Sequence, residues 1–284
     1  MLPEPDSPFD WQTLPPLRDV IARYELRAEK KLGQNFLLDM NITDKIARVA
    51  GDLSTSCIFE IGSGPGGLTR SLLKAGANNV IAIEFDHRAI TALQELETAS
   101  NGRLHVIHGD ALETDLLALQ PQQQENIIIA NLPYNIATPL LIGWLRQIRD
   151  SKDAFRMMVL MFQREVAGRL TARPNTKAYG RLSVIAQWLC DIHYEFSLPP
   201  QAFVPPPKVT SGVVRFLPKD LPSDSPAFAT VEKITAAAFG QRRKMVRTSL
   251  KDYADFFESC NINPVWRAGE IPIQTYIDLA KAVS

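Results

Sequence analysis

Short apolar runs that alternate with amphipathic segments constrain this chain more than any other feature of its sequence. The strand-like runs are residues 58–61, 80–84, 104–108, 126–130 and 157–162. Helical patterns follow them at residues 68–75, 89–96, 139–148 and 164–170. Apolar strands separated by helices are typical of a parallel sheet that is covered on both faces. We therefore predict an α/β fold with a doubly wound sheet.

An antiparallel strand pair and a helical appendage complete the predicted architecture. Residues 191–198 and 209–216 resemble strands with a short connection, which favours a hairpin-like pair at an edge of the sheet. Pro, Ser and Asp then cluster at 218–226, and helical periodicity resumes over 231–239, 244–257 and 274–283. The predicted division is an N-terminal extension at 1–26, a main domain at 27–219 and a small helical domain at 220–284.

Charge and cysteine content exclude several classes of protein. The chain has 31 Lys and Arg against 31 Asp and Glu, so binding to nucleic acid requires a local basic surface. Three cysteines without CxxC spacing indicate neither a disulfide framework nor a zinc site, and the four histidines lack metal-ligand spacing. We expect no bound metal and no membrane partner, a cytoplasmic location and a monomer.

A glycine-rich turn follows the first predicted strand and opens a helix. Gly62 and Gly64 let the turn adopt unusual dihedral angles and let a ligand approach the backbone closely. Glu84 ends the second strand, where a carboxylate can accept hydrogen bonds from both ribose hydroxyls, and Asp110 follows the third strand. Because ligands bind at the carboxyl ends of strands in open α/β sheets, these residues predict a nucleoside site.

The glycine spacing alone does not name the cofactor, because Gly62, Gly64 and Gly67 also fit the dinucleotide-binding pattern. A pyrophosphate favours neutral or basic surroundings, whereas this turn begins with Glu60. An acid at that position suits a ligand with a positive amino or sulfonium group. The residues therefore favour S-adenosylmethionine, with a nicotinamide dinucleotide as the alternative.

A short motif after the fourth strand combines an amide, a main-chain carbonyl and an aromatic ring. Its residues are Asn131, Leu132, Pro133 and Tyr134. If the Asn131 amide oxygen and the Leu132 carbonyl accept both hydrogens of an adenine amine, its lone pair is localised and can attack a methyl group. Tyr134 can stack on an extruded base, a contact worth about 1–3 kcal/mol. These residues predict methyl transfer to adenine N6, and the alternative is an ordinary turn capped by Asn131.

Taken together, the motifs resemble those of the small-subunit (16S) ribosomal RNA adenine N6,N6-dimethyltransferase family over nearly the whole chain. The matching segments are residues 30–37, 60–66, 131–134, 163–166, 203–209 and 239–244, with Glu84 and Asp110. The resemblance implies a class I (Rossmann-like) S-adenosylmethionine-dependent methyltransferase domain. It also implies that the substrate is a pair of adjacent adenosines in a hairpin loop near the 3′ end of small-subunit rRNA, with a role in 30S ribosome biogenesis.

The resemblance also assigns residues to the two halves of the site. It implies a cofactor site lined by Asn35, Leu37, Gly62, Gly64, Glu84, Asp110 and Asn131. Phe203, in the Pro-rich segment, is expected to face Tyr134 across the flipped base.

Positive charge is concentrated at Arg242, Arg243, Lys244 and Arg247, which we expect at the start of a helix. Phosphate contacts from such side chains supply most of the non-specific affinity for RNA. Together with the resemblance, they predict contacts with small-subunit rRNA or the 30S subunit. Secondary candidates are Lys30, Lys31, Arg164, Arg169, Arg173, Lys177 and Arg181.

Three other functions stay open on the sequence. A large-subunit rRNA adenine methyltransferase of the antibiotic-resistance type is related, although that group tends to carry Ile where this chain has Leu132. A nicotinamide-dependent oxidoreductase explains the glycine turn and Glu84 but gives Asn131 and Tyr134 no role. A ribosome-assembly factor would bind an immature subunit, with catalysis secondary or absent.

Overall fold

A seven-stranded mixed sheet lies at the centre of the computed structural model, which describes residues 14–26, 33–121 and 124–283. The strands in chain order are β1 (Phe36–Leu37), β2 (Ser56–Ile61), β3 (Asn79–Glu84), β4 (Leu104–His108), β5 (Glu125–Ala130), β6 (Met157–Gln163), β7 (Cys190–Leu198), β8 (Phe203–Val204) and β9 (Ser211–Pro218). The order across the main sheet is β4-β3-β2-β5-β6-β9-β7, and β1 pairs with β8 outside it. The first five of these strands are parallel, and β9 is antiparallel to both of its neighbours.

Helices cover both faces of this sheet. They are α1 (Leu17–Arg23), α2 (Met40–Val49), α3 (Gly67–Lys74), α4 (His87–Ala99), α5 (Tyr134–Asp150), α6 (Arg164–Leu170), α7 (Arg181–Leu189), α8 (Phe228–Gly240), α9 (Val246–Ser249) and α10 (Ile273–Ala282). Short 3-10 turns occupy Leu117–Leu119, Lys152–Ala154, Pro200–Ala202, Lys251–Phe256 and Ala268–Glu270. Within the described ranges, no helix is both long enough and apolar enough to cross a membrane.

The central strands are apolar on both sides because each side packs on a helix layer. On β2, Phe59 and Ile61 belong to the cluster that contains Leu141 of α5, whereas Ile58 belongs to the cluster that contains Leu72 of α3. The predicted α/β fold with a doubly wound sheet is confirmed. From β2, the strands β3 and β4 are added on one side and β5 and β6 on the other, which places the topological switch point between β2 and β5.

The predicted antiparallel pair at a sheet edge is confirmed. It consists of β7, which is the outermost strand, and β9, which also pairs with β6. One detail of the predicted architecture is wrong. The predicted helix over 244–257 is broken into α9 and a 3-10 turn. The N–H groups of Val246 and Arg247 donate to the carbonyls of Trp266 (2.7 Å) and Pro264 (3.1 Å), which ties this segment to a neighbouring loop.

The C-terminal helices pack directly on the main domain. The rings of Trp188 in α7 and Phe228 in α8 are 6.3 Å apart, and those of Tyr179 and Phe239 are 5.9 Å apart. The Tyr179 hydroxyl donates to the Ile271 carbonyl at 3.0 Å. The apolar core therefore continues across the predicted boundary near residue 220, and that boundary stays a prediction from composition.

Helix α1, in the predicted N-terminal extension, also packs on the main domain. Val20 joins Ala89 and Ala92 of α4 in a small apolar cluster. The Arg70 guanidinium in α3 donates to the Pro15 carbonyl at 2.6 Å. The described part of the extension therefore covers the two helices that follow β2 and β3.

Candidate active site

A cleft of about 240 Å³ opens at the carboxyl ends of β2 to β5, at the topological switch point. Among the residues that line it are Asn35, Leu37, Gly62, Gly64, Glu84, Asp110, Asn131, Leu132, Pro133 and Tyr134. The structure thus brings together every residue predicted for cofactor binding and methyl transfer except Phe203. Among the described residues, no group of three His, Cys, Asp or Glu side chains converges as metal ligands.

The glycine turn and the segment that contains Asn35 pack closely on each other. Gly64 has a φ of +54°, in the left-handed region that favours glycine, and a Cβ there would lie 3.0 Å from the Phe36 ring. A Cβ on Gly67 would lie 2.5 Å from the Leu37 carbonyl oxygen. Side chains at these positions would push β1 away from the turn, so the cleft depends on both glycines.

Main-chain donors orient both oxygens of the Glu84 carboxylate. Oε2 accepts a hydrogen bond from the Gly64 N–H at 2.8 Å, and Oε1 accepts from Phe85 (2.8 Å) and Asp86 (2.9 Å). Burial raises the pKa of Glu84, and the three N–H donors favour its charged form. An ionised carboxylate has about four acceptor sites, and these donors occupy three of them, so Oε2 keeps one acceptor site for a ligand hydroxyl group.

Asp110 lines the cleft just after β4 and has apolar neighbours. Its Oδ1 accepts the Leu112 N–H at 2.9 Å, which fixes the carboxylate at the end of β4. Phe85 and Leu112 also line the cleft, although they are 56% and 49% exposed. Large apolar side chains exposed beside a carboxylate suit a flat, partly polar ring. The sequence did not identify Phe85 or Leu112, since a single apolar residue in a loop carries no pattern.

Glu60 is buried beneath the glycine turn, with 1% of its surface exposed. Burial raises the pKa of Glu60 to about 8, although the nearby Ser63 and Thr69 hydroxyls favour the charged form and Glu84 opposes it. Within the described residues, Glu60 Oε2, Ser63 Oγ and Thr69 Oγ1 make no hydrogen bond of regular geometry. A positive ligand group beside the buried Oε2 of Glu60 would favour the charged form of this acid and would be stabilised by it.

The Asn131 side chain is held in one orientation by the main chain of Asn35. Its Nδ2 donates to the Asn35 carbonyl at 2.9 Å, so its Oδ1 is left as the acceptor. The Leu132 carbonyl accepts no hydrogen bond from the described residues. An amide oxygen and a main-chain carbonyl, one residue apart, are therefore available at this edge of the cleft.

Tyr134 is the first residue of α5 and is half-buried. Its hydroxyl lies 2.5 Å from Ser211 Oγ, at the start of β9. Burial raises the pKa of Tyr134, so the phenol stays protonated at neutral pH. Ser211 was not predicted, because it lies 77 positions along the chain from its partner.

Phe203 does not lie in the cleft, and its predicted stacking contact is wrong for this structure. The side chain is 1% exposed and belongs to the same apolar cluster as Leu37 and Val213. The reason is the pairing of β8 with β1, in which Phe203 is opposite Leu37 and faces the core. Val204, the next residue, is 51% exposed instead.

The predicted RNA-binding residues are exposed, but their setting differs from the prediction. Residues 242–244 form a turn between α8 and α9 rather than the start of a helix, and Arg247 lies within α9. The Arg242 guanidinium donates to the carbonyls of Thr176 (3.3 Å) and Lys177 (2.9 Å). Arg242 therefore joins this turn to the loop before α7.

The secondary basic candidates fall into three groups. Lys30 and Lys31 lie outside the described residues. Arg169 pairs with Glu165, and Arg181 pairs with Glu232. The exposed candidates without an ion pair in the described ranges are Arg164, Arg173 and Lys177. Arg173 and Lys177 lie in the loop that Arg242 contacts, so they extend the basic surface.

The fold and the cleft define a class I, Rossmann-like methyltransferase. A solved dimethyladenosine transferase from Plasmodium falciparum superposes with a TM-score of 0.71 at 25% identity, covering 85% of this chain and 94% of that one. The 23S rRNA methyltransferase ErmE superposes with a TM-score of 0.64 at 20% identity, covering 87% and 98% of the two chains. At that identity the second likeness shows the fold alone.

Sequence comparisons then identify the family. The family model described as ribosomal RNA adenine dimethylase matches residues 25–284. A Rhodospirillum rubrum protein named ribosomal RNA small subunit methyltransferase A is 53% identical over 273 residues, covering 95% of this chain and 93% of its own. A Ruegeria pomeroyi protein of the same name is 50% identical over 277 residues, covering 96% and 98%. The chain belongs to the ribosomal RNA adenine dimethylase family, which confirms the resemblance found in its motifs.

Proposed function

We propose that this protein transfers methyl groups from S-adenosylmethionine to N6 of two adjacent adenosines in a 3′-terminal hairpin loop of small-subunit (16S) rRNA. The products would be dimethyladenosines, made during 30S ribosome biogenesis. The observation that carries this proposal is the pair of oriented acceptors, Asn131 Oδ1 and the Leu132 carbonyl, in the same cleft as Glu84. Relatives named for the small subunit are about half identical, which favours this substrate over large-subunit rRNA.

The residues that line the cleft support S-adenosylmethionine as the cofactor. Glu84 would accept a ribose hydroxyl at Oε2, and Asp110 with Phe85 and Leu112 would hold the adenine ring. Glu60, buried and without a regular partner, would face the positive methionine end of the cofactor. When bound, this cofactor supplies an electrophilic methyl group on a sulfonium ion. A nicotinamide dinucleotide would place a pyrophosphate near Glu60, which disfavours the oxidoreductase.

The protein's contribution to methyl transfer is to orient the target amine. Asn131 Oδ1 and the Leu132 carbonyl would accept its two hydrogens, which fixes the nitrogen and localises its lone pair. Tyr134 would stack on the extruded base, a contact worth about 1–3 kcal/mol. Since the attacking amine is neutral, no strong general base is required, and the proton can leave to solvent after transfer.

Binding to rRNA would depend on a local surface, since the net charge of the chain is zero. We assign this role to residues 242–247, in the predicted C-terminal domain, together with Arg173 and Lys177 on the adjoining loop. The main domain at 27–219 would carry the methyl transfer. A monomer acting on the 30S subunit in the cytoplasm is sufficient for this scheme.

The proposal is tested with labelled S-adenosylmethionine and under-methylated small subunits. We expect incorporation of label by the wild-type protein and a loss of about 100-fold or more in Asn131→Ala, because the target nitrogen is no longer positioned. Asn78→Ala is a matched control, since Asn78 Nδ2 also donates to a main-chain carbonyl, that of Ser54 at 3.0 Å, outside the cleft. Full activity in Asn131→Ala, or no incorporation by the wild-type protein, would contradict the proposal.

A further inference from the structure

The buried hydroxyl of Ser211 is a fixed point behind the ring of Tyr134. Ser211 is 0% exposed and begins β9, where it lies opposite Gln163 of β6 and Leu198 of β7. A strand paired on both sides holds its backbone in place. The Ser211 hydroxyl has one hydrogen-bond partner among the described residues, the Tyr134 hydroxyl at 2.5 Å.

The Tyr134 ring is consequently held at both ends. At the backbone end, Pro133 precedes Tyr134 with a φ of −57°, and the Pro133 carbonyl accepts N–H bonds from Ile136 and Ala137 in the first turn of α5. At the far end, the ring is held through its hydroxyl by Ser211. Because the hydroxyl is already engaged, the part of Tyr134 left for a ligand is the face of its ring.

Ser211 itself does not line the cleft. A buried hydroxyl costs free energy unless it is hydrogen-bonded, so the Ser211 and Tyr134 hydroxyls stabilise each other's position. An apolar Ala or Val at position 211 would need no hydrogen-bond partner in the core. The presence of a serine is explained by the contact with Tyr134.

We propose that Ser211 is a positioning residue for methyl transfer, which fixes the plane of the Tyr134 ring against which the target adenine stacks. This inference rests on the proposed function. Ser211 acts through Tyr134 and does not touch the base. Without its hydroxyl, the ring would sample several orientations, and the base would spend less time in line with the methyl donor.

A double-mutant cycle tests this role, with Ser211→Ala, Tyr134→Phe and the double variant assayed on under-methylated small subunits. We expect Ser211→Ala to lower kcat by about 3- to 10-fold, the range that corresponds to one neutral hydrogen bond. Tyr134→Phe should show a similar loss, and the double variant should lose no more than either single variant. The Kd for S-adenosylmethionine should stay within about twofold of wild type, since Ser211 is outside the cofactor part of the cleft.

The chain offers a matched control on the neighbouring strand. Tyr194 and Ser197 form a second tyrosine–serine hydroxyl pair, at 2.7 Å, on β7 and outside the cleft. Ser197→Ala should leave kcat unchanged. If Ser211→Ala does not fold, Ser211→Cys retains a weak donor of similar size and should fall between wild type and the expected alanine value.

The outcomes separate this inference from the proposed function. Wild-type activity in Ser211→Ala, or an equal further loss when Ser211→Ala is added to Tyr134→Phe, would overturn the positioning role and leave the proposed function standing. A wild-type protein that methylates no small-subunit RNA would overturn both. The inference is supported if Ser211→Ala lowers kcat in the protein that has Tyr134 but causes no further loss in the Tyr134→Phe variant.

Discussion

Replacing Glu60 by Gln should change how the stability of the protein depends on pH. Glu60 is 1% exposed, and burial raises its pKa from the ordinary value of 4.5 to about 8. Between these two pH values the folded protein binds one proton more at this site than the unfolded chain does. The free energy of unfolding therefore falls as pH rises through this window, and the contribution from Glu60 is lost above pH 8.

The size of the effect follows from the shift in pKa. A shift of one unit corresponds to about 1.4 kcal/mol, so the wild-type protein should lose up to about 5 kcal/mol from this group between pH 4.5 and pH 8. Relaxation of a buried site reduces such values, and we expect about 3–5 kcal/mol. Gln cannot ionise, so the Glu60→Gln variant should lack this loss.

Urea unfolding of the cofactor-free protein at pH 5, 7 and 9 measures the effect. The stability of Glu60→Gln relative to wild type should increase steadily from pH 5 to pH 9. Glu165→Gln is the control, because the Glu165 side chain is 76% exposed and lies outside the cleft. If the wild-type and Glu60→Gln proteins lose stability in parallel over this range, burial does not raise the pKa of Glu60.

Two further substitutions separate cofactor binding from RNA binding. Glu84→Ala removes the carboxylate that Gly64 and the adjacent main chain orient, so methylation should be abolished and the Kd for S-adenosylmethionine should rise by about 10-fold or more, while subunit binding survives. Methylation at the wild-type rate in Glu84→Ala would remove this acid from the cofactor site. Replacing Arg242, Arg243 and Arg247 together by Ala should weaken subunit binding and flatten its dependence on salt, because phosphate contacts are lost. S-adenosylmethionine binding should be retained in that variant, and an equal loss of both affinities would point to a folding defect.

The sequence predicted those strands and turns that a single short segment of residues encodes. The apolar run that ends in Glu84, the glycine turn and the turn from Asn131 to Tyr134 each lie in one short segment, and the structure places all three at one cleft. The roles of these residues in binding and methyl transfer stay predictions. The short helices α2 and α7 were not predicted, although both bury apolar residues.

Local sequence patterns could not predict the features that depend on contacts between residues far apart in the chain. The bonds from Asn131 to Asn35 and from Tyr134 to Ser211 join residues 96 and 77 positions apart. Phe203 looked available for stacking because a short Pro-rich segment gives no sign that β8 pairs with β1 and turns this ring into the core. The break in the helix predicted over 244–257 likewise depends on carbonyls of a separate loop at residues 264 and 266.

The most direct measurement is a nucleotide-resolution map of the bases that the wild-type protein modifies in under-methylated ribosomal subunits. We expect N6,N6-dimethyladenosine at two adjacent positions in the 3′-terminal hairpin loop of small-subunit rRNA, and neither modification with Asn131→Ala. Modified bases in large-subunit RNA, or methyl groups on atoms other than adenine N6, would contradict the proposed function.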